Sequence, residues 1–231
     1  MYNNFNQNFQ YHSDNNLVVI WSAKAACTIV IKMYFEQEGL NNEAKQYDWI
    51  HKYREKHSIE NNDLRLDAIQ NPKTKYIQFV VNPYRRAVSS YIHAMRHKYL
   101  GYQYENLSFT NFLDKLENKM LPNDMHHNKQ TFILYKQKQI EYIKMEDIHN
   151  QLPYINKKYG LNYKLKTSNH YSNKVDSGNY FVGNMLWNEI QNKIPKDYTN
   201  FYNKKNIEKV GNLYSEDIQN FNYTYKEFEI N

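Results

Sequence analysis

Leu17-Val18-Val19-Ile20-Trp21-Ser22-Ala23-Lys24-Ala25-Ala26-Cys27-Thr28 is the stretch on which the reading of this chain turns. Its first five residues are a continuous apolar run, the pattern of a strand buried on both faces of a parallel sheet. From Cys27 to about Glu38, apolar side chains recur at helical spacing at Ile29, Val30, Met33 and Tyr34, and Gly39 is a natural stop. The segment between is short and small. A loop that joins a buried strand to a helix start gathers free backbone N–H groups and the positive end of the helix dipole at one point. That arrangement binds phosphate or sulfate. Small side chains at Ala25 and Ala26 admit an anion to the backbone, Lys24 supplies a charge, and Thr28 a hydroxyl donor. The stretch lacks the glycines and the Gly-Lys-Ser/Thr ending of a nucleotide-kinase P-loop, which argues against an ATP- and Mg²⁺-dependent phosphotransferase.

A second unit of the same kind follows. Lys75 to Val81 reads as another buried strand, Asn82-Pro83 breaks it, and residues 84–98 carry Val88, Tyr91, Ile92 and Met95 on one helical stripe. Two strand–turn–helix units predict an α/β fold with a central parallel sheet flanked by helices and with functional loops at the carboxyl ends of the strands. Around them, residues 1–15 read as a disordered or loosely docked arm, and 42–70 as one or two exposed helices. Residues 108–118 read as a short helix and 119–130 as a loop holding His126 and His127. Gln139–Lys144 alternates as a third strand, and 147–160 reads as a helix ending at Gly160. A last helix covers roughly 204–220. Residues 161–185 read as loop-rich. Neither a repeat nor a linker divides the chain, so one domain over residues 1–231 is expected.

Composition sets wider bounds. The 231 residues are 41% hydrophobic and 23% charged with a net charge of +6, ordinary for a globular protein with a mild preference for anions. The charges are interspersed rather than blocked, which reads as a solvated surface. The single cysteine, Cys27, cannot form an intrachain disulfide. No signal-peptide core opens the sequence and no run approaches the ~20 apolar residues of a membrane span, so a cytoplasmic protein is expected. No His/Cys cluster has zinc spacing, and no metal is expected. A nucleic-acid binder would show basic and aromatic residues on a defined element, and none is recognisable.

The quoted loop, Trp21 to Thr28, resembles the 5′-phosphosulfate loop of sulfotransferases that use 3′-phosphoadenosine 5′-phosphosulfate (PAPS), most of all the Golgi-type carbohydrate sulfotransferases, with Ala23 in place of the usual proline. Phe79-Val80-Val81-Asn82-Pro83-Tyr84-Arg85-Arg86-Ala87-Val88-Ser89-Ser90-Tyr91 resembles that family's 3′-phosphate segment. Ser89 falls on its phosphate-binding serine and Arg86 on its second arginine. Its first arginine is Val81 here. Met125 to Gln130 is similar to the acceptor-side histidine segment, Ile140 to Asp147 to the strand that follows, and Tyr198 to Tyr225 to the final helix.

The resemblance implies a P-loop-NTPase-like sulfotransferase fold and a carbohydrate or other hydroxyl-bearing acceptor. Ser22, Lys24, Ala25, Ala26, Cys27 and Thr28 would hold the 5′-phosphosulfate, and Arg86 and Ser89 the 3′-phosphate. Lys24 would stabilise the leaving group, and His126 or His127 would act as general base. The alternative is a non-catalytic anion- or glycan-binding module on the same fold that has lost cofactor binding through Val81. For each residue a plainer role exists: Thr28 as a first-turn residue, Cys27 as small packing, Ser89 as a helix-surface residue, and Arg86 in a surface ion pair.

Overall fold

The computed structural model describes residues 8–131, 138–165, 174–175 and 180–224. In chain order they form β1 (Phe9–His12), β2 (Leu17–Trp21), α1 (Cys27–Gln37), α2 (Asn41–Ala44), α3 (Ile50–Glu60), α4 (Asn62–Gln70), β3 (Lys75–Val80) and α5 (Pro83–His97). After these come α6 (Phe109–Glu117), β4 (Ile140–Lys144), α7 (Ile148–Tyr159), β5 (Lys174–Val175), α8 (Trp187–Ile190), β6 (Ile194–Pro195), α9 (Lys204–Leu213) and α10 (Ser215–Asn220). The chain read as one domain divides into two compact units. The first takes its described residues from 1–81 and 132–168, the second from 82–131 and 169–231.

The first unit is a four-stranded sheet in the order β1-β2-β3-β4, with β2, β3 and β4 parallel and β1 antiparallel on the edge. All five residues of β2 are buried. Because side chains alternate across a strand, Leu17, Val19 and Trp21 pack with α1 and α7 on one face. Val18 and Ile20 pack with Phe9, Tyr76 and Ala68 of α4 on the other. Burying each such side chain is worth about 1.5–3 kcal/mol. The α/β class with helices around a mostly parallel sheet is thus observed. α1 ends as the sequence requires. Gly39 has φ +72°, and the amides of Gly39 and Leu40 return to the carbonyls of Glu36 and Phe35, closing a Schellman motif.

Two expectations for this unit are corrected. Residues 9–12, expected within the loose arm, are a paired strand; residues 1–7 lie outside the described set. β1 is polar in sequence, yet its buried polar groups all find partners. Gln10 Nε2 donates to Ser58 Oγ at 2.7 Å, and His12 lies between Glu38 and the Tyr163 hydroxyl. Residues 42–70 are also less exposed than expected. α3 buries His51, Tyr53, Arg54 and Ser58, and α4 buries Arg65, whose guanidinium stacks on Phe9 at 4.1 Å and bonds the Phe9 and Ser58 carbonyls.

Among its described residues the second unit is mainly helical, with one short parallel pair, β5 and β6. Its core gathers Tyr91 and Val88 of α5, Phe109 and Phe112 of α6, Trp187, Phe201 and Val210. Asn82 caps α5 by accepting from the Tyr84 amide at 2.9 Å, and Pro83 occupies the first turn, where no amide is missed. The Asn-Pro pair is therefore a helix start in its own right. The single last helix expected over 204–220 is two, α9 and α10, separated at Tyr214. Tyr225, the end of the segment likened to a final helix, lies outside the described residues, as do parts of 161–185.

Candidate functional site

The loop between β2 and α1 folds around two non-glycine residues at positive φ, Lys24 (+63°) and Ala26 (+56°). For residues with a Cβ this conformation costs about 1–2 kcal/mol each, and strain of this kind concentrates where a backbone is shaped for a task. The Ala25 amide donates to the Ser22 carbonyl at 3.1 Å, closing the turn. Ala25 is fully buried, so the expected contribution of its N–H to an anion is replaced by this internal bond. The first intrahelical bonds run from Ile29 and Val30 to the Ala26 carbonyl. That leaves the amides of Ala26, Cys27 and Thr28 at the head of α1. No side chain caps the helix, and its first turn holds no acidic residue. An uncapped start with its dipole end facing outward is suited to an external anion.

The side chains around this head agree. Ser22 is 2% exposed, and its hydroxyl has no hydrogen-bond partner among the described residues. A buried hydroxyl left unpaired costs about 1–3 kcal/mol, so an occupant that accepts its proton would repay that cost. From α3, His51 Nε2 lies 3.2 Å from Thr28 Oγ1 and 3.8 Å from Cys27 Sγ. Its other nitrogen, Nδ1, is 3.1 Å from Arg54 Nη1. Arginine only donates, so Nδ1 accepts and the imidazole proton sits on Nε2. Burial, with the nearby Arg54 and Lys24 charges, pushes His51 down to about 4, so the ring is neutral at physiological pH. Arg54 is 8% exposed, pairs with Glu55 at 3.2 Å and keeps a buried Nε without a partner.

The loop thus collects Lys24, the Thr28 hydroxyl, Arg54 and the α1 amides within the first unit, all donors. His51 and Arg54 are the residues beside this loop that sequence reading missed. Their signal was faint, because α3 has almost no amphipathic stripe and both residues look like surface polarity. Cys27 is half-buried. With Nε2 protonated, His51 cannot take the thiol proton, so the cysteine–histidine proximity is not a nucleophile–base pair.

The other expected residues lie in the second unit. Ser89 is a half-buried residue of α5. Arg86 is 1% exposed and spends its guanidinium on the carbonyls of Asn128 and Met125, at 2.5 and 3.2 Å. Buried as it is, it is not in a surface ion pair, and it fastens the loop at 119–131. Arg85 lies over the Tyr198 ring at 5.8 Å.

The two histidines separate cleanly. His127 is buried, its Nε2 donates to the Pro122 carbonyl at 2.8 Å, and its own carbonyl accepts from Tyr214. Burial pushes its imidazole below the usual range. His126 is partly exposed and bonds Asp124 through Nδ1 at 2.6 Å, against the rings of His93 (4.2 Å) and Tyr99 (5.5 Å). A carboxylate that fixes the Nδ1 side is the usual orientation of a general base. Glu146 is exposed in the turn after β4.

Among the described residues no group of three or more His, Cys, Asp or Glu could hold a metal ion, and no helix is long and apolar enough to cross a membrane. What fold and loop define together is an α/β protein with a donor-lined helix start at the carboxyl end of a parallel strand. Comparison with protein-family models, curated protein sequences and solved structures returned no match to this chain.

Proposed function

We propose that the chain is a sulfotransferase that moves a sulfuryl group from PAPS to an acceptor hydroxyl, with carbohydrate the first acceptor class to test. The supporting observation is the loop before α1: an uncapped helix start, a lysine on a strained turn, and a buried serine hydroxyl lacking a partner. In this reading the 5′-phosphosulfate lies at the amides of Ala26 to Thr28. The acceptor oxygen bonds to sulfur as the bond from sulfur to the bridging phosphate oxygen breaks, and 3′-phosphoadenosine 5′-phosphate (PAP) departs. Lys24 and the amides stabilise the charge that grows on the departing phosphate. Of the two histidines that the resemblance offers as general base, His126 is the one that a carboxylate, Asp124, orients.

A second reading is favoured by a specific observation. Arg86 donates to two loop carbonyls and Val81 stands where the family has its first arginine, which weakens the case for a 3′-phosphate site there. A non-catalytic module that binds anions or sulfated glycans would need only the α1 loop. Calorimetry with PAP, followed by transfer of radiolabelled sulfate from PAPS to a panel of glycans and small alcohols, separates the two. Transfer establishes the enzyme. Sulfate or glycan binding with no affinity for PAP establishes the module and removes the enzyme.

A further inference from the structure

We propose that His51 and Arg54 are positioning residues that fix the Thr28 hydroxyl as a hydrogen-bond donor, making the head of α1 selective for oxyanions that carry no proton. The inference rests on the anion site of the preceding reading, though not on PAPS being its ligand. The chain of bonds has one direction. Arg54 Nη1 donates to His51 Nδ1 at 3.1 Å, so His51 Nε2 carries the proton and donates to Thr28 Oγ1 at 3.2 Å. Once Thr28 Oγ1 has accepted that bond, its own proton is left for an outside acceptor. Two observations beyond the helix start point to an occupant. Ser22 Oγ and Arg54 Nε are both buried without partners among the described residues, on residues that are 98% and 92% buried respectively. The Arg54–His51–Thr28 chain of bonds joins the guanidinium to the first turn of α1.

Every polar group so gathered is a donor: the α1 amides, the Thr28 and Ser22 hydroxyls, Lys24 and Arg54. No carboxylate stands in the first turn. A ligand oxygen without a proton can accept from all of these donors, whereas one bearing a proton finds only hydroxyl lone pairs to receive it. Sulfate and phosphosulfate oxygens are unprotonated at neutral pH, whereas a phosphate monoester retains a proton until its second ionisation near pH 6. The device therefore prefers the sulfuryl end of a ligand, and keeps that preference across the range in which an ordinary histidine would change charge.

The single cysteine of the chain, half-buried at the first position of α1, reports on occupancy directly. The rate of Cys27 alkylation by iodoacetamide is followed against inorganic sulfate from pH 5.5 to 8, giving an apparent Kd at each pH. Wild type should be protected with a Kd that stays constant within about twofold. His51→Leu and Thr28→Val should each weaken protection roughly tenfold, and His51→Gln, which keeps an N–H near the Nε2 position, should recover to within about threefold of wild type. Binding by Thr28→Val at wild-type strength overturns the proposal even if His51→Leu proves misfolded. So does a wild-type Kd that follows a titration near pH 6.5, which would make His51 a charged ligand. Absence of protection by sulfate, pyrophosphate and PAP alike overturns both this inference and the proposed function. Protection by sulfate without PAP binding removes the sulfotransferase alone.

Discussion

Two loops of this molecule are rich in polar side chains, and they use them in opposite ways. At residues 22–28 the fold leaves donors at the head of α1 uncapped and buries the Ser22 hydroxyl without a partner. At residues 119–131 nearly every strong polar group is spent on the protein itself. Arg86 bonds two carbonyls, His127 and Tyr214 bond backbone oxygens, and the buried Asp217 carboxylate accepts from the amides of Gln130 and Thr131 and from the Thr131 hydroxyl. Buried polar groups are ordinarily satisfied. The second loop obeys that rule apart from the buried His127 Nδ1, and it is held in place. The first departs from it at the Ser22 hydroxyl and the uncapped start of α1, and the proposed anion site rests on that departure. Resemblance to a sequence motif drew attention to both loops alike; only the hydrogen-bond accounts distinguish them.

Substitutions in the two loops should therefore fail differently. Lys24→Ala should lower sulfuryl transfer about 10³-fold, on the scale of removing one electrostatic stabiliser of a developing anion. Its thermal unfolding should stay within about 0.5 kcal/mol of wild type. A fully active Lys24→Ala enzyme would break the contrast and the mechanism with it. Arg86→Met should do the reverse. It strands the Met125 and Asn128 carbonyls and should cost about 3 kcal/mol in chemical denaturation. If instead it left stability untouched and weakened PAP binding, Arg86 would belong to a ligand site after all.

Acid sharpens the comparison further. His51 is held down to about 4 in the folded chain against about 6.5 when unfolded. Between those values the unfolded state binds the extra proton, so this group's contribution to stability is complete above pH 6.5 and is lost as pH falls toward 4. The loss should be on the order of 2 kcal/mol, read as a fall in urea midpoint that is shallower in His51→Gln. His127, also lowered by burial, adds a slope of the same sign that His51→Gln leaves in place. The smallest effect belongs to Ala26→Gly. At φ +56° a glycine relieves the Cβ penalty and should raise stability by about 0.5–1 kcal/mol without abolishing anion binding. Loss of stability there would mean that the left-handed turn is not the folded conformation.

The placement of His51 explains why sequence reading stopped where it did. Residues 50–60 lack a strong apolar stripe, so α3 offers nothing to orient it, and its polar residues read as solvent-facing. It is held by Tyr53 and His57 against Phe35 and Tyr34 of α1, with the Tyr53 and Phe35 ring centroids at 4.8 Å, and in this packing His51 meets Thr28. β1 escaped for a related reason: Gln10 and His12 look like surface residues until partners distant in sequence, Ser58, Glu38 and Tyr163, satisfy them.

What the sequence determined by itself was whatever depends on neighbours along the chain. The apolar run of β2, the helical spacing of α1, the stop at Gly39, the start of α5 at Asn82-Pro83 and the strand–loop–helix order are all local in origin. The tertiary structure alone decided which polar side chains are consumed and which are left over: that Arg86 and His127 hold a loop, that Asp124 orients His126, and that Arg54 sets the tautomer of His51. Propensity and periodicity are carried by residues within a turn or two of one another. Hydrogen-bond satisfaction is settled between groups that only the folded chain brings within 3 Å.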